Sequence, residues 1–162
     1  MKREQSAIFR KSESGQVMAF LAICFVAILG ISALAIDGGM VYADRRHAQN
    51  AADAASLAGG SGAAYYMRAN NVNYNAFICG TKGANLTGDA AELAAINSAV
   101  FNDYILDADI SDSHGVTVNC EITDMGSHDD KHLDVITKIT RDTETNFAHL
   151  IFPGPLRNQV EA

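Results

Sequence analysis

The sequence predicts an α+β fold in which a long N-terminal helix crosses a membrane and carries a small domain on the outer side. Three observations predict it: an uncharged apolar run at residues 17–36, apolar residues at helical spacing over residues 90–106, and alternating apolar residues after residue 115. Apolar residues three and four apart indicate an amphipathic helix, whereas strict alternation indicates a half-buried strand.

The membrane span is predicted at Val17–Ile36, which contains no charged residue and no Pro, Asn or Gln. As a helix, these residues rise about 30 Å, which matches the hydrocarbon core of a bilayer. The residues before the span carry a net charge of +2 and those after it a net charge of −9. Because basic flanks stay in the cytoplasm, we expect a single-pass protein with a short cytoplasmic tail and an acidic part on the other side of the membrane.

A secretory signal peptide is the alternative interpretation of the same segment. It also has a basic start and an apolar run, and Ala33 and Ala35 fit the small-x-small pattern before a cleavage site. The apolar run is longer than a usual signal core of about 7–15 residues, and the residues after it continue as a helix. We therefore expect the segment to be retained.

Four segments follow from this reading of the chain. They are a cytoplasmic tail at 1–16, the span at 17–36, a helical extension at 37–68 and an outer α+β domain at 69–162. Gly38 and Gly39 mark the outer membrane boundary and can form a kink. Alanine-rich sequence then predicts helix to about Leu57, with Gly59–Gly62 ending or bending it.

The second helix is predicted at residues 90–106, after an asparagine-rich loop at 70–75 and turn signals at Gly83–Gly88. Thr87 or Asp89 can cap this helix, with Glu92 in its first turn. Its predicted buried face consists of Leu93, Ile96, Val100, Phe101 and Tyr104.

Two strands are predicted at Val116–Ile122 and Leu133–Thr140, joined by a polar turn at Met125–Lys131. Such a pair forms an antiparallel hairpin. A short apolar turn or helix follows at Thr145–Phe152, and the last seven residues begin a strand that stops almost at once. That abrupt end suggests a truncated or processed chain.

Composition excludes several classes of function. The acidic outer part lacks the basic face that nucleic-acid binding needs, and it does not suit docking on an anionic membrane surface. No GxSxG elbow places a catalytic serine, and Gly59–Gly62 lacks the lysine of a phosphate-binding loop. We therefore expect no enzymatic activity and no cofactor.

Cys79 and Cys120 are the two cysteines outside the span, so an oxidising compartment allows one pairing between them. Two unpaired thiols are the alternative. His128–His132 offers imidazole and carboxylate ligands for a divalent metal, although polar residues are expected in a hairpin turn. Four aspartates form an acidic group near residue 107: Asp103, Asp107, Asp109 and Asp112. The group resembles the start of a calcium-binding loop, but the Gly and Glu that such a loop requires are missing. We therefore expect no metal at this group.

The stretch RRHAQNAADAASLAGG, together with Gly15-Gln16 and Ile36-Asp37-Gly38-Gly39, resembles the N-terminal segment of TadE/TadG-like proteins. This family belongs to bacterial tight-adherence (Flp) pilus assembly. The resemblance implies a pilin-like fold and a structural or assembly role without catalysis. It also implies self-association and contacts with other pilus subunits through the N-terminal helix, besides the bilayer. The residues expected to serve packing or assembly are Gly30, Ala33, Asp37, Arg45, Arg46, Gln49, Asn50 and Asp53.

Processing at Gly15 is a further question raised by this resemblance. Prepilins that are cut after a glycine carry a glutamate at the fifth mature position, whereas cleavage before Gln16 would place Phe20 there. We therefore expect the tail to be retained. The alternative function is a secreted or anchored adhesin-like binding module, whose helix serves only as anchor or signal; the two hypotheses differ in whether the helix self-associates.

Overall fold

A computed structural model describes residues 14–106, 114–124, 129–150 and 153–162. Its elements are two helices, a three-stranded sheet and one short 3-10 turn. In chain order they are α1 (Ser14–Ala69), α2 (Lys82–Phe101), β1 (Gly115–Asp124), β2 (Asp129–Thr143), the turn Ala148–Leu150 and β3 (Leu156–Glu161). The predicted α+β fold with its long apolar N-terminal helix is confirmed.

Helix α1 is a single helix of 56 residues, about 84 Å long. Among the residues described here, it is the helix long and apolar enough to cross a membrane. The large apolar side chains of its first half, from Val17 to Ile36, each keep more than half of their surface exposed in the described part of the chain.

The expected helix end at Gly59–Gly62 was wrong. The helix runs without a break through Gly38 and Gly39, and it continues past Leu57 and through Gly59–Gly62 to Ala69. The physical reason lies in the packing of the later glycines. A Cβ added at Gly62 would lie 2.6 Å from Cβ of Ala94 and 2.8 Å from the carbonyl oxygen of Ala90. The glycine therefore permits α2 to approach α1 closely, and it does not end the helix.

Helix α2 also differs from its prediction. It begins at Lys82, so the expected turn at Gly83–Gly88 is helical, and neither Thr87 nor Asp89 is the cap. The Thr87 hydroxyl is buried and donates to the carbonyl oxygen of Gly83, 2.7 Å away. The helix ends at Phe101, five residues before the predicted end.

Of the large residues that were predicted to be buried on this helix, Ile96 packs against the core and is partly buried. The buried face of α2 itself consists of small residues. Its buried members are Ala84, Thr87, Ala91, Ala95 and Ala99. Leu93, Val100 and Phe101 are exposed, while Tyr104, beyond the helix, is buried as expected. Two helices whose facing residues are glycine and alanine can approach closely, and that distance leaves no room for leucine or phenylalanine.

The antiparallel pairing of β1 with β2 confirms the predicted hairpin. Val116 on β1 lies opposite Thr137 on β2. These two residues and Ile139 are buried on the face of the sheet that packs against the helices. The C-terminal residues form a third strand, because β3 pairs antiparallel with β2 and places Val160 opposite Ile139. The sheet order is β1-β2-β3, and its inner face packs on α1 and α2 in a core dominated by alanine.

Candidate functional site

The membrane-side end of the molecule is built around Asp37, the first residue after the predicted span. Its side chain is 3% exposed although it lies on a helix whose preceding residues are open. One carboxylate oxygen accepts a hydrogen bond from the amide of Asn146 at 3.0 Å. The other accepts from the amide of Phe147 at 2.9 Å and from that of Ala148. We call this set of contacts the Asp37 latch.

The Asp37 latch holds the loop that connects β2 to β3. Three consecutive amides at the start of a 3-10 turn have no partner within the turn, and a carboxylate satisfies them in the way that an N-cap residue does. Burial alone raises the pKa of the carboxyl group, but the amides of Ala148, Asn146 and Phe147 outweigh this effect. The pKa of Asp37 therefore lies below its ordinary value.

Replacing Asp37 with alanine is expected to free this loop from α1. Hydrogen exchange at the amides of residues 146–148 should rise by about tenfold or more, because hydrogen bonds to charged groups are the stronger kind. Asp37→Asn should give part of the effect. Asp53→Asn is the matched control, since Asp53 is exposed and receives its hydrogen bond from Gln49, four residues away on α1.

The stability that the Asp37 latch contributes should also depend on pH. Because the native pKa of Asp37 is lowered, its contribution to stability is fully present above the ordinary carboxyl pKa of about 4. It is lost as the pH falls through the lowered native value. Protection of amides 146–148 that stays unchanged between Asp37 and its alanine variant would contradict the latch.

A second charged contact ties β2 to α1 further along the helix. The Arg141 guanidinium Nε lies 3.3 Å from Oδ1 of Asp44. Burial alone lowers the pKa of Arg141, but Asp44 and Tyr104 raise it overall. The Tyr104 hydroxyl in turn lies 3.1 Å from Nδ1 of His47. This group positions the sheet on the helix.

The predicted assembly residues of α1 fall into two classes. Arg45, Arg46 and Asn50 are exposed, and the Arg46 guanidinium lies 5.9 Å from the centre of the Tyr42 ring. Gln49 instead works within the chain, because its amide nitrogen contacts Asp53 at 2.9 Å and the backbone oxygen of Glu161 at 3.3 Å. In the span, nothing beyond the adjacent residues and backbone of its own helix lies within 4 Å of a Cβ position at Gly30, whereas Ala33 is half-buried.

Helix α2 presents an apolar stripe on its outer side, formed by Leu86, Leu93 and Val100. These residues are seven apart and therefore lie on one face of the helix. Leu93 is 62% exposed, and the adjacent Phe101 is 91% exposed. We call the three residues the α2 stripe; nothing described in the chain covers it fully.

Cys79 and Cys120 form a disulfide in the structure, with 5.6 Å between their Cα atoms. The bond joins the loop before α2 to strand β1. Lys131 reinforces the same junction, because its ammonium donates to the backbone oxygen of Tyr74 at 3.2 Å. Cys24 is an exposed free thiol in the span.

The outward face of the hairpin carries carboxylates around His132. Glu121 lies opposite His132 in the strand register, with its Oε2 3.7 Å from Nε2. Oδ2 of Asp134 lies 3.8 Å from the same nitrogen. The ligand atoms of these three residues lie within 4.8 Å of one another, so they can hold a divalent cation. Exposed carboxylates of this kind are also common in proteins without a bound cation.

Several residues of the sequence predictions fall outside the described part of the chain. They are Gly126, His128, Asp107, Asp109, Asp112 and the end of the predicted turn, Ile151 and Phe152. Asp103, the described member of the acidic group, lies just after α2 with a positive φ of 66°. Sequence reasoning missed Glu121 and Asp134 as neighbours of His132, because that proximity depends on strand register.

Comparison with known proteins identifies the N-terminal segment. Residues 15–65 match the family model described as putative Flp pilus-assembly TadE/G-like. The match confirms the predicted resemblance over that segment, and it supports a pilus-associated role. Searches of curated proteins and of solved structures gave no significant match.

Proposed function

We propose that this protein is a membrane-anchored, pilin-like structural subunit or assembly protein of a tight-adherence (Flp) type pilus, without catalytic activity. The observation that carries the proposal is the coincidence of the family match with α1. Residues 15–65 cover nearly the whole helix. Its first half is apolar and uncovered, and its second half packs against the outer domain. A helix with these two halves both anchors and displays a domain.

The proposed orientation places residues 1–16 in the cytoplasm and residues 37–162 outside the inner membrane. The charge difference across the span supports it, because basic flanking residues remain on the cytoplasmic side. The acidic outer part then faces the oxidising periplasm, a compartment in which the Cys79–Cys120 disulfide persists.

Two surfaces are proposed to contact other pilus subunits or further copies of this chain. In the membrane, Gly30 and Ala33 allow close approach of another helix. Outside it, the α2 stripe offers large apolar side chains that are exposed, and contiguous exposed apolar residues are typical of protein–protein contact surfaces. Arg45, Arg46 and Asn50 are exposed between them and supply polar contacts. Gly15 remains a possible processing position in this proposal, with retention of the tail expected.

The proposal is tested by recovering the full chain from cells in separate membrane and sheared-surface fractions, followed by intact mass measurement and crosslinking. We expect a retained span and crosslinks to other pilus components or to further copies. Leu93→Lys should lower crosslinking by about tenfold, because loss of a central apolar contact commonly costs more than about 1 kcal/mol of binding free energy, and about 1.4 kcal/mol is tenfold in affinity. Asn85→Lys adds the same charge to an exposed position off the α2 stripe and should leave crosslinking unchanged.

The adhesin-like alternative predicts a different result. In that case crosslinking between spans would be absent, and Leu93→Lys would have no effect on association. A mature chain that starts at Ile36 in a soluble fraction would contradict membrane anchoring altogether, because it would show that residues 17–35 are a signal peptide.

A further inference from the structure

Strand β2 descends along α1 toward the membrane. The Ser56 hydroxyl donates to the Thr137 hydroxyl at 2.9 Å, Arg141 pairs with Asp44, and the amide of Asn146 reaches Asp37. Residues later in the chain thus contact residues progressively earlier in α1. From Ser56 to Asp37 this descent covers about 28 Å along the helix axis. The loop after β2 therefore reaches the C-terminal end of the apolar span.

The tip of this loop lies beside the span. An open apolar groove of about 860 Å³ lies between them, lined by span residues from Val26 to Ile36 and by Phe147, Ala148 and Leu150. Leu150 is 92% exposed and Phe147 is 49% exposed. The groove extends about 15 Å below Ile36 along the helix. Its apolar surface is continuous with that of the span.

The backbone of this tip is suited to an environment without water. In lipid, each unpaired N–H group costs several kcal/mol, so a non-helical segment survives there only when its donors have partners. The Asp37 latch supplies acceptors for the amides of residues 146, 147 and 148. The amide of Leu150 donates to the carbonyl oxygen of Phe147 at 3.1 Å.

We propose that Phe147 and Leu150 insert into the lipid leaflet next to the outer domain, and that a lipid acyl chain fills the groove between them and the span. The continuity of the groove with the span and the paired amides of residues 146–148 and 150 support lipid as the occupant. The inference rests on the membrane anchoring proposed above. It adds a second membrane contact, contributed by a loop more than one hundred residues later in the chain.

The test uses the full chain in lipid nanodiscs with one copy per disc. Cys24 is replaced by serine, and single cysteines at Leu150, Leu34 or Leu57 carry an environment-sensitive fluorophore. Leu34 reports the span, whereas Leu57 is exposed on α1 about 30 Å beyond Ile36. Nitroxide-labelled acyl chains serve as lipid quenchers, and iodide serves as the aqueous quencher.

We expect the Leu150 label to emit at short wavelength and to be quenched by acyl-chain nitroxides to an extent similar to the Leu34 label. The Leu57 label should respond to iodide alone. A Leu150 label that behaves like Leu57 while Leu34 is quenched by lipid overturns the inference and leaves the anchor intact. Protection of Leu150 from both quenchers overturns lipid as the occupant in favour of protein. An aqueous response at Leu34 overturns the inference together with the membrane anchor.

Discussion

Gly62→Ala is expected to destabilise the outer domain, although alanine is the better helix former. On an open helix surface, the exchange of glycine for alanine stabilises by about 1 kcal/mol. At position 62, however, the new methyl group would lie 2.8 Å from the carbonyl oxygen of Ala90, and backbone cannot move aside as a flexible side chain can. Overpacking of this kind costs about 1–3 kcal/mol.

Gly60→Ala is the matched control on the same helix. Apart from the adjacent residues and backbone of its own helix, no atom lies within 4 Å of a Cβ added at Gly60, so this variant should gain the ordinary helix-propensity benefit. Because the propensity gain is common to both variants, they should differ by the overpacking cost of about 1–3 kcal/mol in the free energy of unfolding. Denaturation in micelles, followed by circular dichroism, measures the difference. Equal stabilisation by both variants would show that α1 and α2 are not in close contact at Gly62.

Removal of the Cys79–Cys120 disulfide is expected to have the second large effect. The two cysteines are 41 residues apart, and closing a loop of this length constrains the unfolded chain by about 4 kcal/mol in the chain-entropy model. The double variant Cys79→Ser/Cys120→Ser should lower the free energy of unfolding by an amount of that order. The denaturation midpoint in urea, with its slope, measures it.

Cys24→Ser provides the control for the disulfide prediction, because Cys24 is an exposed thiol in the span and should not affect the outer domain. Intact mass after alkylation, with and without reductant, establishes whether the bond exists in the purified protein. If the oxidised wild type and the double serine variant unfold at the same urea concentration, the disulfide does not support the fold.

Much of this fold could be predicted from local patterns. The span and the hairpin follow from patterns in the chain itself. Residues 116–122 and 133–140 alternate in polarity, and the face that contains Val116, Thr137 and Ile139 is buried near the sheet centre. The face of α2 could not be predicted in this way. Leucine and phenylalanine were expected to face the core because they are more hydrophobic than alanine. The spacing between α1 and α2, set by Gly59 and Gly62, reversed that preference.

The candidate site was less predictable, because its contacts join residues that are distant in the chain. Asp37 was identified at the membrane boundary, but its partners at 146–148 lie more than one hundred residues away. The same holds for Glu121 beside His132, where the strand register decides the contact. The sequence shows that Asp37, Glu121 and His132 are polar, whereas the fold determines which residues they contact.

The unbroken course of α1 through Gly38 and Gly39 has a mechanical consequence. Without a joint at the membrane surface, the outer half of the helix moves as a stiff lever with the inner half. From Ile36 to Ala69 this lever is about 50 Å long, so tilting the span by about 20°, a common value, displaces its far end by about 17 Å. With the proposed membrane anchoring, small reorientations among neighbouring spans would thus become large movements at the far end of α1, where the acidic domain packs.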